Sequence, residues 1–272
     1  MLKEITNDSI FLPVRDRDAH KGDFGRVLLF CGSEKYTGAA YFSAQAAVNT
    51  GSGLVFLSVP KKIRPILASK LNEPVLIPRS FCEMKNDAVL LGCGLGISRK
   101  SEKLVRKLVF SGASPLVLDA DAITIAARLH IDLAASPREL ILTPHEGEFS
   151  RLVPDFDHNR REEFAANFAK KNKCTLVLKG RRTLCADKDG NLYANTTGNP
   201  GMAKGGSGDV LAGIITSLTG QGIPPVRAAY TGVWLHGAAG DLAAEIYGEY
   251  SMTPTDMLCT LKSVIKKVRQ ED

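Results

Sequence analysis

Short runs of leucine and β-branched residues alternate with longer helical patterns up to residue 180, and no other feature constrains the fold as much. Residues 27–30, 54–59, 88–91, 116–118, 140–143 and 175–178 read as strands buried on both faces. Between them, residues 39–50, 61–68, 101–109, 122–129 and 160–171 carry helical spacing. Strands alternating with helices imply a doubly wound α/β structure, a mostly parallel sheet with helices on both faces. In such sheets ligands bind beyond the carboxyl ends of the strands. Polar or glycine-rich turns begin at those ends: Cys31-Gly32-Ser33, residues 92–96, Asp119-Ala120-Asp121, residues 144–148 and Lys179-Gly180. A single crevice is expected to collect them.

After Lys179 the pattern changes. Residues 182–186 and 191–195 flank Asp187-Lys188-Asp189-Gly190, a hairpin signal through Asp-Gly. A helix rich in alanine and glycine is expected over 225–247, and its 228–244 stretch can pack within the subunit or against another. A last helix starts with Thr253 as cap and Pro254 in its first turn, and runs to about residue 269. No linker or composition break divides the chain, so residues 1–272 read as one domain.

With 44% hydrophobic and 24% charged residues the composition is that of a soluble globular protein. Cys31, Cys82, Cys93, Cys174, Cys185 and Cys259 are scattered without a CxxC pair or zinc spacing, which suggests a reducing compartment and no disulfides. The first twenty residues are charged throughout, so no signal peptide is expected, and no run approaches the roughly 18–20 apolar residues of a membrane span. The protein is expected in the cytoplasm. The net charge of +6 favours anionic ligands, although its basic clusters lack the interleaved aromatics of a nucleic-acid surface.

Residues 198–222, GNPGMAKGGSGDVLAGIITSLTGQG, hold eight glycines and one acid around the start of an apolar helical pattern. A helix beginning here aims its unpaired N–H groups and positive dipole end at the glycine loop, which makes an anion site. Asp209 is unfavourable in such a site unless it takes a proton or helps to hold a metal. The bland alternative is an acid that only stabilises the helix dipole. The run is no Walker loop, because Lys204 precedes the glycines, and it lies too late for a Rossmann fingerprint.

Other segments leave two readings open. Residues 143–148 offer His145 and the backbone around Gly147 to a ligand, or form a turn in which Glu148 caps a helix. The GxGxG of Gly92, Gly94 and Gly96 fits a ligand approach or a tight turn. Lys179 faces a phosphate or ends a strand in solvent. Asp119 and Asp121 hold a magnesium ion through water or cap the turn at Ala122, the latter being favoured. His20-Lys21-Gly22-Asp23 has no local assignment, and His236 and Asp241 read as packing residues rather than metal ligands.

The glycine run resembles the late helix start of the ribokinase-like kinases, and its wording is close to one branch, the NAD(P)H-hydrate dehydratases. The same resemblance covers HKGDFGRV at 20–27, TGAA at 37–40, GCGLG at 92–96, LDADAI at 118–123, TPHEGEFSRL at 143–152 and HGAAGD at 236–241. Cys93 departs from the GPGLG form of the third motif, where a small residue is tolerable.

The resemblance implies a ribokinase-like fold, with Asp209 as general base in contact with substrate. Substrate would also be bound by Ala39 or Ala40, by Gly96, and by His145, Glu146, Gly147 and Glu148. It assigns Lys179, Gly180, Arg181, Arg182 and Thr183 to the nucleotide, together with Asn199, Gly201, Met202, Ala203, Lys204, Gly205, Gly206, Ser207 and Gly208. The implied reaction is ADP-dependent dehydration of the S form of NADH or NADPH hydrate, releasing AMP and phosphate. Magnesium would be held through the nucleotide phosphates, with no metal site of the protein's own. An NAD(P)H-hydrate epimerase as functional partner and a homotetramer also follow from the resemblance. The chain is expected to stand alone, without an attached epimerase domain, and this together with the KGGSGDVL wording at 204–211 favours ADP over ATP within the family. The rival readings are a small-molecule kinase of the same fold acting on a vitamin precursor or sugar, and a dinucleotide-binding regulator without catalysis.

Overall fold

The computed structural model describes residues 2–79 and 85–269, so Cys82 lies outside the described residues. The strands are β1 (Leu2–Ile5), β2 (Arg26–Phe30), β3 (Leu54–Val59), β4 (Val75–Pro78), β5 (Ala88–Leu91), β6 (Leu116–Leu118), β7 (Leu140–Leu142), β8 (Thr175–Leu178), β9 (Leu184–Ala186) and β10 (Leu192–Asn195). They form one ten-stranded sheet in the order β1-β10-β9-β8-β7-β6-β5-β2-β3-β4. From β8 to β4 every pairing is parallel. The Asp187–Gly190 turn makes β9 and β10 antiparallel, and β9 runs antiparallel to β8 as well.

The helices are α1 (Thr37–Asn49), α2 (Arg64–Ala68), α3 (Arg99–Val109), α4 (Asp121–Arg128), α5 (Glu146–Leu152), α6 (Arg161–Asn172), α7 (Ser207–Gly220), α8 (Pro225–Ser251) and α9 (Pro254–Arg269). Side chains alternate across each strand and so supply two cores. Leu28, Val89, Leu118, Leu142 and Leu176 pack with α3, α4, α5 and α6. Leu29, Leu90, Val117, Ile141 and Val177 face the opposite way, onto α1, α7 and α8. Burial on both faces is why these strands read as unbroken apolar runs.

β1 and β4 carry no comparable signal in the sequence. Both are edge strands of four residues with exposed positions, and β1 joins β10, which lies far along the chain. At α9 the expected cap is present: the Thr253 N–H donates to Asp256 Oδ2 at 2.8 Å, and the Asp256 N–H returns to Thr253 Oγ1 at 3.4 Å. No helix among the described residues is long and apolar enough to cross a membrane.

Candidate active site

Register brings the chemistry together. Leu91, Leu118 and Leu142 are aligned partners across β5, β6 and β7. The residues that follow them therefore leave the sheet along one edge: Cys93 after β5, Asp119 after β6 and Thr143 after β7. Lys179 follows β8, and a lone bridge to His145 carries the alignment one step further. α7 begins above this edge, with Asp209 as its third residue.

Asp119 is 1% exposed, and its Oδ1 accepts the Thr143 hydroxyl at 2.7 Å and the Lys179 ammonium at 2.9 Å. The Cys93 thiol donates to its Oδ2 at 3.4 Å. Cys93 Sγ and one carboxylate oxygen each of Asp119 and Asp209 lie within 4.8 Å of one another. Burial alone would depress Lys179, but the charges of Asp119 and Glu148 outweigh it and hold the amine above the ordinary lysine value.

Asp209 is pushed up to about pKa 7. Burial is the main cause and the Asp119 charge adds to it, while the Cys93 hydrogen bond and Lys179 oppose them. A carboxyl that titrates near neutrality in the first turn of a helix that starts from a glycine loop is suited to taking a proton. Ahead of it, Gly206 holds φ +103°, where a Cβ would fall 2.7 Å from the Phe42 ring. Gly205 is exposed, with no atom within 4 Å of where a Cβ would stand, so the turn is open to a ligand.

In the 143–148 motif the capping turn that the sequence offered as one alternative is present. The Glu148 N–H donates to His145 Nδ1 at 3.1 Å and the His145 N–H to Glu148 Oε2 at 2.9 Å, a capping box for α5. The half-exposed His145 ring keeps its Nε2 3.3 Å from Glu148 Oε1. Glu146 is fixed by Arg161 at 2.7 Å and His158 at 2.8 Å.

On the other wall Ala40 is wholly buried against Gly32, whereas Ala39 is half-buried beside Gly94. Asp121 accepts the Gly96 N–H at 2.7 Å, which pins the glycine turn. The favoured structural role therefore fits Asp121, while Asp119 belongs to the charged cluster. His236 and Asp241 hydrogen-bond to the glycine run as packing residues. The pair His20–Asp23, 2.8 Å apart, precedes β2 and so sits at the amino edge of the sheet, away from the crevice.

The residues assigned to the nucleotide fall in two segments. In the first, Arg182 pairs with Glu4 at 2.9 Å, Thr183 donates to the Gly180 carbonyl at 3.1 Å, and Arg161 binds the Arg181 carbonyl at 3.1 Å. A cavity of about 530 Å³ lined by Arg181, Arg182, His158, Arg160 and Arg161 adjoins this segment and includes none of Asp119, Lys179 or Asp209. In the second, Asn199 and Gly201 form a turn, Met202 packs on α8, and the Lys204 ammonium is taken by the Tyr250 and Met252 carbonyls at 2.7 and 2.5 Å. Ala203 is exposed, and Lys179 Nζ lies 3.4 Å from where a Cβ on Gly208 would stand.

Sequence reasoning missed Arg161, His158 and Arg79. Arg79 Nη2 donates to the carbonyls of Cys31, Gly32 and Ser58 at 2.5, 2.7 and 3.1 Å, which ties β2 to β3 under the crevice. Burial lowers its pKa to about 10 against the opposing charge of Cys31. None of the three has a local signal, because each meets its partners through tertiary contact.

The sequence profile of the NAD(P)H-hydrate dehydratase family matches residues 27–263. The bifunctional NAD(P)H-hydrate repair enzyme Nnr of Moorella thermoacetica is 40% identical over 96% of this chain and 53% of its own length. The chain thus spans about half the length of such bifunctional relatives. The ADP-dependent (S)-NAD(P)H-hydrate dehydratase of Listeria monocytogenes is 32% identical over 100% of this chain and 99% of its own. Among solved structures, the ADP/ATP-dependent NAD(P)H-hydrate dehydratase of Bacillus subtilis, co-crystallised with ATP and Mg2+, superposes with TM-score 0.87 at 28% identity, over 97% of each chain. The fold is the ribokinase-like α/β fold. On this profile match and these relatives, the chain belongs to the NAD(P)H-hydrate dehydratase family.

Proposed function

We propose that the chain repairs hydrated nicotinamide dinucleotides, dehydrating the S form of NADH or NADPH hydrate at the expense of ADP and releasing AMP and phosphate. The observation that carries this reading is the Asp209 carboxyl, raised to about pKa 7 at the open glycine start of α7. Hydroxide leaves a ring carbon poorly, whereas phosphate leaves readily. Asp209 accepts the proton of the C6 hydroxyl as its oxygen attacks the β-phosphorus of ADP, which breaks the bond to AMP. The amides of residues 205–208 and the α7 dipole stabilise charge on the transferring group. Loss of phosphate from C6 together with a proton from C5, which the departing phosphate can carry away, then forms the C5–C6 double bond and restores the dinucleotide.

In this reading Ala39 or Ala40, Gly96, His145, Glu146, Gly147 and Glu148 line the nicotinamide side, and the complete burial of Ala40 favours Ala39 for the alanine contact. Residues 179–183, together with Asn199 and residues 201–208, surround the donor. No all-protein magnesium cage fits the donor set at the centre. Cys93 is a soft ligand, and Lys179 already neutralises Asp119. Magnesium accordingly enters as the nucleotide's counterion, held by the phosphates. A separate activity that interconverts the hydrate epimers would supply the S form, and the bifunctional relatives support a second activity of that kind. Cytoplasmic work follows from the substrates, which are the cell's reduced dinucleotide pool.

The test is incubation with hydrated NADH, magnesium and either ADP or ATP, following NADH absorbance and free phosphate. Recovery of NADH with ADP at least as fast as with ATP is expected. A stable phosphorylated product without NADH recovery would instead mark a small-molecule kinase.

A further inference from the structure

Residues 197–207 lie along the middle of α8 in successive contacts. At one end Asp241 accepts the Gly198 N–H through Oδ2 at 2.8 Å and the Asn199 side-chain amide through Oδ1 at 2.9 Å. At the other end His236 Nε2 donates to the carbonyl of Ser207 at 2.9 Å, two residues before Asp209. Between them the loop rests on the helix backbone. A Cβ on Gly237 would stand 2.2 Å from Thr197 Oγ1, and one on Gly240 would stand 2.4 Å from Met202 Sδ. Thr197 also donates to the Trp234 carbonyl at 3.0 Å. Positions 236 and 240, and 237 and 241, are each one turn apart, so they form two adjacent rows on the helix. One row supplies an anchor and a gap, and so does the other.

A segment as rich in glycine as 198–208 is conformationally free unless its ends are held. Its amides serve a phosphate only if they converge before the ligand arrives. Burial holds the His236 pKa down to about 4, with the Ser207 hydrogen bond opposing and the Lys179 charge adding. The ring is therefore neutral at physiological pH and keeps Nε2–H as a constant donor.

We propose that His236 and Asp241 are positioning residues that clamp both ends of the glycine-rich loop on α8, in the form that receives the phosphates of a nucleoside diphosphate. The inference rests on the donor role given above to that loop. Neither residue needs to touch the ligand.

ADP affinity by calorimetry and the KM for each substrate, in H236L, H236Q and D241N, test the clamp. H236L removes the donor, and ADP affinity should fall about tenfold while the KM for the hydrated dinucleotide stays within about twofold. H236Q keeps an amide donor within reach of the Ser207 carbonyl and should recover to within about threefold of wild type. D241N puts a donor where an acceptor is needed and should weaken ADP about fivefold. Wild-type ADP affinity in H236L, equal loss in H236L and H236Q, or an equal rise in both KM values would overturn the clamp. If circular dichroism shows that H236L does not fold, D241N decides, and unchanged ADP affinity there would end the idea. A wild-type protein that does not bind ADP fails the donor reading itself, whereas normal turnover with indifferent variants fails the clamp alone.

Discussion

The ammonium of Lys179 lies 2.9 Å from the Asp119 carboxylate and 3.9 Å from that of Glu148. One cation thus faces two fixed carboxylates, and Asp209 brings a third acid into the same field. The lysine neutralises only part of that charge. The remainder adds to burial in keeping the Asp209 proton to about pH 7, which sets the group up as a base in the neutral range.

Replacing Asp209 by asparagine keeps the size of the side chain but removes the base. Turnover should fall by roughly two to four orders of magnitude, the usual share of general acid–base catalysis. Nucleotide affinity should hold or rise, because a negative charge beside the phosphates has gone. Steady-state kinetics with calorimetric ADP titration reads both, and near-normal turnover would reduce Asp209 to a helix-end acid.

The same variant makes a prediction about stability. Folded Asp209 releases its proton near pH 7, against about 3.8 when unfolded. Between these values the folded chain binds more protons, so the wild type loses stability as pH rises through the window. D209N has no such loss. Its unfolding free energy, measured by denaturant titration, should match the wild type near pH 4 and exceed it above pH 7, by a margin on the order of a few kcal/mol. A margin that does not change with pH would contradict this account.

Asp119→Asn should move the acid limb of the kcat/KM profile to lower pH. The Asp119 charge raises the Asp209 pKa and Lys179 lowers it, so removing the former shifts the balance toward the latter. Profiles measured from pH 5 to 9 would decide, and a limb that stayed in place or rose would show that the Asp119 charge does not set the base.

In solution the protein should be a homotetramer, with a light-scattering mass four times the 29.3 kDa subunit. The buried positions of α8 up to Ala243 pack within the subunit. The surface left for association is its far end, where Ile246, Tyr247 and Tyr250 are 57%, 50% and 96% exposed. A 29 kDa particle at micromolar concentration would end this expectation, and Y250E should weaken the assembly if that surface is used.

The central strands were legible because burial on both faces requires nearly continuous apolar residues, as in 27–30 or 175–178. The carboxyl-edge turns and the glycine start of α7 were legible for a similar local reason. Tight backbone geometry and unpaired helix amides each restrict residue type within a few positions. β1 and β4 were not, since an edge strand with exposed positions needs no such run. Nor could spacing tell Ala39 from Ala40, which differ only in what stands opposite them. Pairings such as Lys179 with Asp119, 60 residues apart, arise from strand register and leave no periodic trace in the chain. The sequence by itself determined the layer architecture and the turns that gather at the carboxyl edge of the sheet, and it singled out Asp209 as the candidate acid. The tertiary structure alone decided that acid's protonation, because burial and neighbouring charge depend on elements that meet only when the sheet closes.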